Sequence, residues 1–148
     1  MVQSITNDQS ATLNIDFVIS MLFLLVIIGS VFSIAEGRFE TVNKADEAAQ
    51  ARSISEKVAS TIEEVYAGGE GHEIKIEMPP DIKGSNYDLS VNQSGVLIQV
   101  GGWSGYSYSF FKKISNYDLN QEEVTLRPNK NYTVRNVKDG KSNKVIIF

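Results

Sequence analysis

Few residues in this chain are of types that do chemistry, and most of those stand alone. His72 is the only histidine and there is no cysteine, so neither a thiolate site nor a paired-imidazole metal site can be built, and a disulfide framework is excluded. His72 lies in a Gly-rich bend, where a solvated loop histidine is the expected role. No serine stands in a strand–Gly–x–Ser–x–Gly–helix elbow, and the Asp and Glu residues show no spacing that singles out an acid/base pair. The chain is therefore read as non-enzymatic and without a cofactor. A net charge of -4 and the absence of any Lys/Arg run also argue against a nucleic-acid partner, since phosphate contacts need clustered cations.

Three features have more to offer. Asp16 places a carboxylate at the edge of an apolar run, which costs free energy unless the group is hydrated, paired or set at a helix N-terminus. Asn14 as N-cap and Asp16 as a first-turn acid is an adequate account by itself. The segment WSGYSYSFF alternates Tyr106, Tyr108 and Phe110 with Ser107 and Ser109. Such a stripe can stack on sugars or on a neighbouring subunit, but alternation is how a half-buried strand reads, so the stripe is expected to face the head's own core. Trp103, outside that stripe and beside Gly101-Gly102, is the expected surface aromatic. Asn92-Gln-Ser and Asn131-Tyr-Thr match the acceptor pattern for N-glycosylation, which is relevant only if this part of the chain is outside the cell.

These residues depend on three successive elements. From Phe17 to Ala35 there is no charged residue; as a helix this run rises roughly 28 Å, close to the ~30 Å of a bilayer's hydrocarbon core. Gly29 and Ser30 within it are small enough for close helix approach. A helix buried in a soluble core and a cleaved secretory signal ending near Ser33 and Ala35 are the alternatives. The second fits poorly, because the preceding tail lacks Lys and Arg and the apolar run exceeds the usual ~7–15 residues of a signal core. Charges flanking the run do not fix its orientation, with Asp8 and Asp16 on one side and Glu36, Arg38 and Glu40 on the other.

The proline-free stretch that follows places Phe39, Val42, Ala45 and Ala49, then Ile54, Val58, Ile62 and Val65, at three- and four-residue intervals, one face of an amphipathic helix. Gly68-Gly69 ends it. One nearly continuous helix is expected from about Leu13 to Ala67. After Gly71 the period becomes two, with strands expected at Glu73–Glu77, Tyr87–Val91, Val96–Val100, Tyr106–Lys112, Glu122–Arg127, Tyr132–Asn136 and Lys144–Phe148. The turn Lys138-Asp139-Gly140-Lys141 makes the last pair the most secure hairpin. The fold class is α+β, an antiparallel β-rich head covered by the second half of the long helix.

The layout resembles archaeal type IV pilin-like proteins, the class III signal peptide family. The resemblance lies in Gln9-Ser10-Ala11-Thr12-Leu13-Asn14-Ile15-Asp16-Phe17 with the apolar run to residue 35, and in Ile74-Lys-Ile-Glu-Met-Pro-Pro-Asp-Ile-Lys-Gly-Ser-Asn-Tyr87. It implies a leader over residues 1–11, cut by a prepilin peptidase between Ala11 and Thr12, which puts Asp16 at the fifth mature position with Phe17 after it. It implies a transmembrane and assembly helix over 12–35, a helical continuation over 36–70 and an extracytoplasmic head over 71–148. Asp16 would neutralise the terminal amine of an adjacent subunit, while Phe17, Leu22, Leu25, Gly29 and Ser30 would pack helix on helix. The implied partners are identical or related pilin subunits, with the lipid bilayer holding the helix before assembly. The implied location is a single-pass cell-membrane protein with its head outside, then a surface filament. The chain departs from the family in having no Lys or Arg before the cut, and in placing Gln9 before the cut with Asp in place of Glu. A monomeric membrane-anchored extracellular binding or adhesion module is the rival function, and a secreted domain cut after Ala35 is the third.

Overall fold

The computed structural model describes the backbone of residues 8–110, 112–118, 121–140 and 142–148, and their side chains except for residues 8–14 and Asp139. Among the described residues helix α1 (Asp8–Ala67) is followed by eight strands: β1 (Glu73–Glu77), β2 (Tyr87–Asn92), β3 (Gly95–Val100), β4 (Trp103–Tyr108), β5 (Lys113–Asn116), β6 (Val124–Leu126), β7 (Asn131–Asp139) and β8 (Ser142–Ile147). The chain forms two compact units, Met1–Asn43 and Lys44–Phe148. In the first, the described residues are all helix. The helix begins five residues before the expected Leu13, because Gln9–Asn14 contains neither glycine nor proline and an acid at the first position suits the positive end of the dipole. Of the leader expected over residues 1–11, residues 1–7 lie outside the described residues.

In the second unit the helix supplies Ala51, Ser55, Val58, Ile62 and Val65, all buried, at alternating four- and three-residue steps. Ile54 packs against the same core from its margin. The first half of the expected apolar face is not buried. Phe39 is 71% exposed and Val42 58% exposed, and Ala45 and Ala49 are exposed as well. A regular helix turns about 100° per residue, so Ala45 and Ala49, six and two residues before Ala51, lie more than about 100° round the helix from it. The spacing was helical in both halves but out of phase between them.

The helix ends at Ala67, where the Gly68 N–H donates to the Glu64 carbonyl (2.9 Å) and Gly69 takes a left-handed φ of 83°. Two further carbonyls of the last turn, Val65 and Tyr66, accept from the side-chain amide of buried Asn136 at 3.3 and 3.0 Å. This cap comes from β7 and satisfies two of the carbonyls that the end of a helix leaves open.

The strands form two four-stranded sheets, ordered β1-β7-β8-β5 and β4-β3-β2-β6. All pairs are antiparallel except β5 with β8, which is parallel. The expected last hairpin is present with longer arms, Asp139 pairing with Ser142. Gly101 and Gly102, with φ of 54° and 79°, form the tight β3–β4 turn that two left-handed residues permit. One apolar core joins the helix positions to residues of both sheets, among them Ile76, Leu89, Ile98, Ile114, Leu126, Val134 and Ile147.

The strand expected over Tyr106–Lys112 is replaced by β4 and β5, which belong to different sheets. The crossing segment between them is tied to the helix, because the Phe110 N–H donates to Glu63 Oε1 at 2.7 Å and Lys112 Nζ pairs with the same oxygen. The aromatic stripe is corrected too. In the β3–β4 register Val96, Ile98 and Val100, which are buried, stand opposite Ser107, Gly105 and Trp103. Directly paired residues share a face, so Trp103, Gly105 and Ser107 point inward while Tyr106 and Tyr108 point out. Tyr108 is 85% exposed and Phe110 82%.

Candidate functional site

Two surfaces stand out, one on each unit. The first is the helix from Ile15 to Ile34. Its large side chains are exposed on every side, from Ile28 at 42% to Phe17 at 68%. A helix apolar all round is stable only where something other than water surrounds it. This is one helix long and apolar enough to cross a membrane. Asp16 is exposed one residue ahead of Phe17. Leu22 and Leu25 are exposed at 58% and 60%, and no atom lies within 4 Å of the position a Cβ would take on Gly29. The Ser30 hydroxyl donates to the Val26 carbonyl at 2.8 Å, so the polar group is satisfied within the helix and costs little in apolar surroundings. Ala11 and Thr12 fall in the first turns of α1; their side chains are outside the described set.

The second surface is a groove of about 590 Å³ between the helix and β4. It exists because the inward positions of β4 after Trp103 are small: Gly105 and Ser107 leave the edge of the core underfilled. The Ser55 and Ser107 hydroxyls meet at 2.7 Å on its floor. Trp103, 36% exposed, lays the six-membered ring of its indole over Gly105, where any Cβ would fall 2.1 Å from Cη2. Along the helix wall run Arg52, Glu56, Ser60 and Glu63, with Arg52 Nε donating to Glu56 Oε1 at 2.8 Å. Tyr106 and Tyr108 meet edge to face, centroids 4.8 Å apart, and the Tyr106 hydroxyl donates to Asn92 Oδ1 at 2.8 Å.

At the end of the groove, Glu63 anchors the crossing segment. Burial raises its pKa, but the hydrogen bond from Lys112, the Phe110 N–H and the charge of Lys112 outweigh that, and the carboxyl is held below its ordinary value. Lys112 is itself buried, with its ammonium 5.3 Å from the centroid of the Tyr66 ring. The phenol of Tyr87, buried against the Pro79 carbonyl, is pushed up to about 12 by loss of solvation and by Tyr132.

The two glycosylation triplets differ in setting. Asn131 is exposed at the start of β7. Asn92 is half-buried, and its Oδ1 accepts from the backbone N–H groups of Ser94 and Gly95 as well as from Tyr106. His72 is exposed, its ring packed against Gly68, and among the described residues no group of three or more metal-ligating side chains converges. Arg52, Glu56, Glu63 and Gly105 were not singled out from the sequence. The available signals were a glycine inside a strand pattern, two residues from a tryptophan, and charged residues at helical spacing opposite it. Comparison with known protein families, curated proteins and solved structures yields no match.

Proposed function

We propose that the chain is a structural subunit of a type IV pilus-like surface filament of archaeal type, held in the membrane by its apolar helix and then assembled through that helix with the head outward. The observation that supports this most is the helix surface from Ile15 to Ile34, apolar and exposed on all sides, with a single acid, Asp16, at its start. In lipid that surface is satisfied by acyl chains. In a filament core the same surface is satisfied by copies of itself, without exposing any backbone polar group. Asp16 then pairs with the terminal amine of the neighbour, where a low dielectric strengthens the attraction.

Two measurements test this. Mass spectrometry of the native N-terminus is expected to begin at Thr12. Asp16→Ala is expected to leave the protein in the membrane fraction while abolishing filaments seen by electron microscopy; undiminished filaments would refute the charge role. The anchored binding module is favoured by a different observation, the groove on the head, and a chain that begins at Met1 and forms no high-mass assembly is its signature.

A further inference from the structure

We propose that the groove between α1 and β4 is a binding site for a short, uncharged oligosaccharide. The inference is independent of filament assembly, since every residue it uses lies in the Lys44–Phe148 unit. Size comes first. About 590 Å³ lies within the ~300–1,000 Å³ of sites that hold small ligands. The second consideration is the platform. Gly105 does not have the left-handed φ that would require a glycine, and glycine inside a strand weakens it, so its presence marks a close approach. What approaches is the indole of Trp103, which any side chain at 105 would displace. The part-exposed indole of Trp103 offers apolar ring surface with a polar N–H at its edge, the combination that suits the mixed faces of a sugar ring.

Charge and hydrogen bonding narrow the ligand further. Arg52 and Glu56 pair with each other, and Glu63 pairs with Lys112, so the groove has no surplus of either sign to attract a phosphate polymer or a polycation. The helix wall of Arg52, Glu56, Ser60 and Glu63 instead presents donors and acceptors side by side, as vicinal hydroxyls require. A peptide strand laid along the edge of β4 would need an apolar seat for alternate side chains, and that wall does not provide one.

Trp103 is the sole tryptophan, so intrinsic emission reports on this groove alone. The test titrates the full chain, in phosphocholine micelles free of glycoside detergent, with maltohexaose, cellohexaose and mannohexaose, and with a heparin hexasaccharide as the anionic comparison. The expected result is a saturable change in Trp103 emission with at least one neutral sugar, unaffected by salt. Gly105→Val, which displaces the indole, is expected to weaken binding by about tenfold or more. Because Gly105→Val risks misfolding, the exposed-site variants Glu56→Gln and Arg52→Gln are measured beside it, each expected to weaken binding severalfold. Silence with all three neutral sugars overturns the proposal. So does a response to the heparin fragment alone, unchanged affinity in both exposed-site variants, or an emission change that follows protein concentration without sugar, which would mark a second copy as the occupant.

Discussion

At the scale of single residues, the same amino acid has different work at different positions. Asn92 and Asn131 are alike as glycosylation triplets, but Asn92 Oδ1 holds two backbone N–H groups of the β2–β3 turn and the Tyr106 hydroxyl. Asn92→Ala is therefore expected to destabilise the head by about 1–2 kcal/mol, through loss of three hydrogen bonds whose donors are at most partly buried. Asn131→Ala, at an exposed position, is expected to stay within ~0.5 kcal/mol; urea unfolding followed by Trp103 emission compares the two. Glu63 gives a pH dependence. Its pKa is lower in the folded protein than its ordinary 4.5, so the unfolded chain takes up the proton first on acidification. Its contribution is complete above pH 4.5 and is lost as pH falls through the folded value. Stability measured downward from about pH 6 is expected to fall less steeply in Glu63→Gln than in the parent.

At the scale of elements, α1 is one helix with two environments. Ile62 is 1% exposed in the core while Phe39 is 71% exposed, although both are apolar residues on a helical repeat. Ile62→Ala is expected to cost about 2–5 kcal/mol through lost burial and the cavity left behind. Phe39→Ser is expected to leave head stability within ~0.5 kcal/mol, and denaturant midpoints at constant m-value decide between equal and unequal effects. The β elements were readable wherever a tight turn closed them, as at Gly101-Gly102 and Gly140. They were misread between Tyr106 and Asn116, where the chain changes sheets. That crossing is set by Glu63, some 47 residues away from Phe110 in sequence, and local alternation has no record of such a partner.

At the scale of the whole molecule, the division at Asn43/Lys44 has a physical basis, because the first fully buried helix residue is Ala51 and the core beyond it draws on both sheets. Residues 44–148 expressed alone are expected to fold and to remain in solution as monomers at micromolar concentration. Circular dichroism and size-exclusion chromatography check this, with loss of cooperative unfolding as the contrary result. The full chain is expected to require lipid or detergent, since Ile15–Ile34 leaves its apolar side chains exposed.

Composition and short-range periodicity suffice for the charge-free apolar run, the helix continuing past it, the glycine stop and the β-rich α+β head. Each of these follows from composition or from a period within a few turns of chain, which is local information. Which face of the helix is buried, the inward turn of Trp103 rather than Tyr108, the parallel pairing of β5 with β8 and the capping of the helix by Asn136 come from the folded arrangement. Those outcomes depend on register and on partners distant in sequence. A shift of one residue in a strand exchanges its two faces, and in β4 that exchange separates an aromatic core from a groove floored by Gly105 and Ser107.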